Sequence, residues 1–232
     1  MSLQQQETYN ILVLGASGRT GTQIVKALAS HPRSPSVHAF CRDPSKLVQE
    51  GEDGLFDSIV KGDAKSPADL RRAIETTNAN LVIVAIGDGD SLKKTDTRTA
   101  SARALVQVLL KSDFDDVNVL IVSSNGTAPS TIKIGLGMGK LITYHLRHIL
   151  QDHKGQEEAF KPIAHRTFTI RPTALTDGKH SPAIVEFGDH QKAPTIHIDR
   201  SDVARYAAKK IFTSGAFNGT IVNITGSKKN KQ

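Results

Sequence analysis

The sequence predicts an α/β fold: one doubly wound parallel sheet flanked by helices, with a small substrate-side region built from the insertions after strands five and six. Three observations predict it. Short apolar, β-branched runs recur along the chain with helix-like stretches between them. The first run, Ile11-Leu12-Val13-Leu14, ends at Gly15, and Gly18, Gly21 and a helical segment follow. Aromatic residues make up only 5% of the chain and tryptophan is absent, so the core has to be aliphatic, as buried parallel strands require.

The elements follow in order. Asn10–Leu14 reads as the first strand and residues 20–30 as the first helix. Ser36–Cys41 and Ser58–Lys61 read as strands two and three, with a helix over 67–75. A continuous apolar run over 81–86 is strand four, followed by a long helix over 97–112. Strand five spans 117–123 and strand six 167–171. Between them, residues 124–149 carry glycines at 126, 135, 137 and 139, which predicts a loop and then a helix beginning near Gly139. Residues 175–198 form a second irregular stretch with a short strand over 183–187. A helix over 201–212, with Asp202 near its start, and a last strand over 220–225 close the fold. No internal repeat or linker interrupts the pattern. One domain over residues 1–226 and a basic tail over 227–232 are expected.

Composition excludes several function classes. The chain has 232 residues, 38% of them hydrophobic, which marks a globular protein. A single cysteine, Cys41, excludes an internal disulfide and a multi-cysteine metal site. The segment 1–10 is polar, and no apolar run approaches the roughly 18 residues of a membrane span, so a cytoplasmic protein without a membrane partner is expected. The net charge of +7 is spread among acidic residues, apart from Lys228, Lys229 and Lys231 in the tail. That distribution predicts no nucleic-acid partner, and it suits anionic ligands. A monomer or weak dimer is expected.

The segment Gly15-Ala16-Ser17-Gly18-Arg19-Thr20-Gly21 stands in a strand–turn–helix context. Glycines there allow a tight turn and bring backbone N–H groups close to a pyrophosphate, at the positive end of the helix dipole. The arrangement is that of a Rossmann-type dinucleotide site, with Gly15, Ser17, Gly18, Arg19, Thr20 and Gly21 as cofactor-binding residues. At the end of strand two, Arg42 offers a planar fork to a 2′-phosphate and Arg19 a second cation, which favours NADP(H) over NAD(H). Asp43 has two readings, a ribose contact or the cap of the turn Asp43-Pro44-Ser45. Ala85, Ile86 and Gly87 end strand four with side chains small enough for the cofactor's ribose to lie against the backbone.

Further blocks sit in order along the chain: Cys41-Arg42-Asp43-Pro44-Ser45-Lys46, Gly62-Asp63-Ala64, Val122-Ser123-Ser124, Thr169-Ile170-Arg171-Pro172, Leu175-Thr176-Asp177 and Ile198-Asp199-Arg200-Ser201-Asp202-Val203-Ala204. Together with the glycine turn, they make the chain resemble the atypical short-chain dehydrogenase/reductase superfamily. Within it, the likeness is to the NAD(P)H-binding group of NmrA-like proteins and biliverdin-IXβ/flavin reductases. The resemblance implies an adenine contact at Asp63 and Ala64, with capping of the next turn as the alternative for Asp63. It also implies that Ile170, Arg171, Pro172 and Thr173 pass the nicotinamide, where the proline stiffens the wall.

Hydride transfer needs the nicotinamide held against an acceptor, and a proton source where the product requires one. Many short-chain dehydrogenases use a Tyr-x-x-x-Lys pair. By the resemblance, Lys154 and Glu158 fall at the family's Lys-x-x-x-Glu block, but Leu150 stands where the tyrosine would be. The catalytic candidates are therefore Ser123 and Ser124 at the end of strand five, Tyr144, and Lys154. For the serines, backbone bonding is the alternative role. Tyr144 and His148 lie one helical turn apart, which is also what chance on an exposed helix produces. His145, His148 and His153 offer titratable groups, and no third ligand for a metal pair is evident. The missing tyrosine disfavours ketone reduction, whose alkoxide needs a proton, and favours a small conjugated hydride acceptor such as a flavin or quinone. A non-catalytic NADP-binding sensor is the alternative.

Overall fold

The computed structural model describes residues 9–49, 53–89, 91–178 and 180–227; the predicted tail residues 228–232 and the opening residues 1–8 lie outside the described residues. An eight-stranded sheet runs β3-β2-β1-β4-β5-β6-β10-β8. Its strands are β1 (Asn10–Leu14), β2 (Ser36–Cys41), β3 (Ser58–Lys61), β4 (Leu81–Val84), β5 (Asn118–Val122), β6 (Thr167–Pro172), β8 (Ile184–Phe187) and β10 (Thr220–Gly226). All neighbours are parallel except β10 and β8, which pair antiparallel at the edge. The predicted α/β architecture is the one observed. A separate pair, β7 (Ala174–Thr176) with β9 (His197–Asp199), forms a small second sheet inside the region expected to be irregular.

Two aliphatic layers hold the helices to the sheet. Alternation along the strands sends Ile11, Val13, Val37 and Ile170 to one face, where α1 (Arg19–Ala29) and α7 (Arg200–Ile211) add Ile24, Leu28, Val203 and Ala207. Leu12, Leu14, Val82 and Ile121 point to the other face, against Leu70 and Ile74 of α3 (Pro67–Thr77) and Leu105 and Leu109 of α4 (Thr97–Leu109). The long α6 (Arg147–Ala159) packs on α4, while α2 (Ser45–Gln49) is a single turn after β2. Helix starts follow their side chains. The Ser66 hydroxyl accepts from the Asp69 N–H at 3.2 Å ahead of Pro67, and Asp199 accepts from the Ser201 N–H at 3.0 Å.

Several boundaries differ from expectation. Strand four ends at Val84 rather than residue 86; Ala85 still donates to Leu14 at 3.0 Å, and beyond it the chain turns away toward the switch point. The helix expected near Gly139 is split. It runs as α5 (Met138–His145), breaks at Leu146 (φ −88°, ψ 6°) and restarts as α6. No described helix is long and apolar enough to cross a membrane.

Candidate functional site

Strand order reverses at β1, which lies between β2 and β4, and open α/β sheets bind ligands at the carboxyl ends of such strands. Gly15 sits there with φ +84°, and a Cβ on it would lie 2.6 Å from the Ala85 carbonyl oxygen. The Gly18 N–H donates to the Gly15 carbonyl at 2.9 Å and closes the turn. At Gly21 a Cβ would come within 2.1 Å of that same carbonyl, so only glycine lets α1 pack onto the turn. Helix α1 begins with no side-chain cap and no acidic residue in its first turn. Its leading amides therefore lack the side-chain acceptors that α3 and α7 possess, and the helix dipole adds positive potential at the same place. These residues fit a dinucleotide pyrophosphate. Ser17 and Thr20 are half-buried beside it.

At the end of β2 the two readings of Asp43 separate. Its Oδ1 accepts from the Ser45 hydroxyl at 2.6 Å and the Ser45 N–H at 3.1 Å, and these bonds hold the carboxyl below its ordinary range. Asp43 therefore caps the turn. Arg42 is exposed and makes no hydrogen bond or ion pair among the described residues. Arg19 is the second cation expected at the cofactor site. It approaches Asp177 at 3.7 Å, and Asp177 also takes Arg200 at 2.7 Å. The Arg19 pair is half-exposed on both sides and correspondingly weak. Asp63 accepts from the Lys65 N–H at 3.0 Å, its capping role, while remaining exposed, with Ala64 half-buried next to it. Beyond Ile86, Gly87 lies close to Arg98, a cation missed by sequence reasoning; it is set 3.7 Å from Asp88 and 3.4 Å from Asp152.

At the end of β5 the two serines part ways. The Ser123 hydroxyl donates to Glu157 Oε1 at 2.5 Å. Glu157 is gripped by Arg171 through Nε at 2.8 Å and Nη2 at 2.5 Å, and Arg171 Nη1 reaches Asp189 at 3.0 Å. Arg171 is 2% exposed. The Arg171 guanidinium is thus enclosed by the carboxylates of Glu157 and Asp189. Ser123 is likewise committed to Glu157. Ser124 instead lines a cavity of about 180 Å³, together with Asn125, Ile132, Ile142, Thr173 and Ile196. Pro172 supplies the carbonyl that accepts the Asn125 N–H at 2.9 Å, and Thr173 shares a 2.9 Å hydroxyl contact with Thr225. A larger open cavity of about 550 Å³, around Tyr9, Asn80 and Phe212, lies at the opposite, amino ends of the strands.

The helical candidates are not brought together. The break at Leu146 puts Tyr144 and His148 on different helices, and Tyr144 is 66% exposed with the Arg147 guanidinium 4.5 Å from its ring centre. Lys154 pairs with Glu158 at 3.8 Å on the exposed side of α6. Leu150 is buried and packs toward Gly126. Among the described residues no group of three or more His, Cys, Asp or Glu is placed to hold a metal ion. Glu157, Asp189 and Asn223 escaped sequence reasoning, because their partners lie 14 to 98 residues away and no spacing announces them.

His153 is not a proton source near neutrality. Burial, reinforced by the Arg98 charge, pushes its imidazole down to about 3 from 6.5. A base with a depressed folded value binds more protons when unfolded, so its contribution is complete above 6.5 and is lost as pH falls toward 3. Over that window, the wild-type unfolding free energy should fall relative to His153→Leu by up to about 1.4 kcal/mol per pH unit, in urea melts at successive pH values. Parallel curves for the two proteins would contradict it.

A family profile described as NAD(P)H-binding matches residues 15–213. No curated protein matches the chain. Among solved structures, a short-chain dehydrogenase/reductase from Veillonella parvula in complex with NADP aligns at TM-score 0.71 and 16% identity, over 96% of this chain and 95% of that one. An oxidoreductase from Lactococcus lactis aligns at TM-score 0.68 and 20% identity, over 94% and 91%. An anaerobillin reductase from Escherichia coli aligns at TM-score 0.69 and 14% identity, over 96% and 99%.

Proposed function

The chain belongs to the NAD(P)H-binding family, and on that premise we propose that it is an NADP(H)-dependent reductase passing hydride to a small conjugated acceptor such as a flavin or quinone. The observation that carries this reading is the cavity at the carboxyl ends of β5 and β6, walled by Ile132, Ile134, Ile142, Leu146 and Phe187 and ending in Ser124 and Asn125. Concave, mostly apolar sites with a few polar groups are what flat organic ligands occupy. The Veillonella protein, which binds NADP, has the same fold, and so does a reductase from Escherichia coli.

Each part of the chain has a task. The turn from Gly15 to Gly21 and the uncapped start of α1 hold the pyrophosphate, and Arg42 takes the 2′-phosphate. Bound there, a reduced nicotinamide supplies the hydride. Thr173 and Ser124 place the acceptor against it, and the apolar walls exclude water from the transfer. Leu150, in the tyrosine's place, gives no proton to a developing alkoxide. A conjugated acceptor spreads the incoming charge and takes its proton from water.

NADPH oxidation measured with FMN, menadione and simple aldehydes tests the proposal. Oxidation above background with the flavin or the quinone, and little with aldehydes, is expected. Tight NADP(H) binding with no acceptor consumed would overturn the reductase reading in favour of a non-catalytic sensor of the NmrA-like type.

A further inference from the structure

The orientation of one cavity side chain can be deduced by counting donors and acceptors, starting from the half-buried carboxylate that pairs with Arg171. Asp189 Oδ1 takes Arg171 Nη1 at 3.0 Å and Asn223 Nδ2 at 2.8 Å. A carboxylate facing a guanidinium only accepts, so Asn223 has to present its amide nitrogen there. Its Oδ1 therefore points the other way, toward Ser130 Oγ at 3.0 Å and Asn125 at 3.0 Å. That oxygen accepts too, so Asn125 has to meet it with Nδ2. The second N–H of Asn125 goes to Ser130 Oγ at 2.8 Å, and its backbone N–H goes to the Pro172 carbonyl at 2.9 Å. Every donor of Asn125 is then used. Its Oδ1 is left, and among the described residues nothing donates to it. Asn125 is 8% exposed and lines the cavity, so its remaining surface is turned to whatever fills that space.

We propose that Asn125 is the specificity-determining residue of the acceptor site, selecting ring acceptors that carry an N–H donor, such as the imide of a flavin-type ring, over acceptors that offer only carbonyls. The inference rests on the hydride-transfer reading only in taking this cavity as the acceptor's site. A ring N–H would satisfy the Asn125 oxygen. A quinone carbonyl in the same place would set oxygen against oxygen and leave both unpaired. Sites built to form a hydrogen bond reject ligands lacking the matching group for this reason. Asn125 cannot flip to accommodate the quinone, because flipping would set two carbonyl oxygens against each other at Asn223 and strand a donor of Asn125. The chain of partners leads back to Arg171, which Glu157 holds in place.

The test uses lumiflavin and its N3-methyl derivative, which differ by the one donor. Equilibrium binding of each, read by flavin fluorescence on the full protein saturated with NADP⁺, should favour lumiflavin by about tenfold, the worth of one well-placed hydrogen bond. In Asn125→Ala that preference should shrink to within about twofold, the hydrogen bond being gone. Equal affinities in the wild type, or no saturable binding of either ring, would overturn the proposal, and neither result needs the variant to fold. NADPH oxidation in the same samples reads the reductase proposal separately. A lumiflavin preference without turnover would support the role of Asn125 while overturning the reductase reading.

Discussion

Arg42→Ala should weaken NADPH binding by roughly ten- to a hundredfold and leave NADH within about threefold of wild type, because a charge-assisted, bidentate contact to phosphate is worth about 1.5–3 kcal/mol. Arg42 stands just past β2, the strand beside β1 where the order reverses, and it makes no hydrogen bond or ion pair among the described residues. The neighbouring carboxylate of Asp43 is tied into its own turn by Ser45. NADH lacks the group that Arg42 would bind, so its affinity reports everything else in the site. Arg42→Lys should fall between wild type and alanine, keeping the charge but losing the planar fork. Arg19→Ala should cost less, since Arg19 is turned to Asp177. Calorimetric titration with both cofactors checks each variant, and equal losses for NADPH and NADH in Arg42→Ala would refute the assignment.

Glu157→Ala should destabilise the fold by about 3–5 kcal/mol, the cost of leaving a buried charge without its partner. Arg171, 2% exposed, would keep only Asp189 and a long contact to the Ala128 carbonyl, and Ser123 would lose its acceptor. Removing both charges in Glu157→Leu/Arg171→Leu should recover part of that loss, because apolar side chains fill the buried space and the carboxylate left behind, Asp189, is one-third exposed to water. Urea denaturation of the single and double variants measures the difference. A single variant within about 1 kcal/mol of wild type would mean that the pair contributes little, since exposed pairs give values of that size. The same substitution would loosen Arg171, the anchor from which the orientation of Asn125 follows.

Much of this fold could be read directly from the sequence. The strands Asn10–Leu14, Ser36–Cys41 and Ser58–Lys61 have the expected bounds, because each is a short apolar run closed by turn residues. The small sheet of β7 and β9 was missed for the opposite reason: each strand has only three residues, too few to show a period. The break at Leu146 carries no glycine or proline, so nothing in residues 138–159 marks where one helix ends and the next begins. Composition and motif likewise separate at the site. The glycine turn is a local feature and reads locally. The roles of Ser123, Arg171 and Asn125 come from partners distant in sequence, and only the packing of α6, β6 and β10 brings those together. For that reason no local pattern in the sequence shows that the Arg171 and Ser123 side chains both meet Glu157.

The central claim is that the turn from Gly15 to Gly21 and Arg42 together hold NADP(H). Calorimetric titration of the unmodified protein with NADPH and with NADH tests it most directly. One saturable site per chain is predicted, with NADPH bound tighter than NADH by about tenfold or more, as a phosphate contact to arginine requires. NADH bound as tightly as NADPH, or no saturable binding of either, would contradict it.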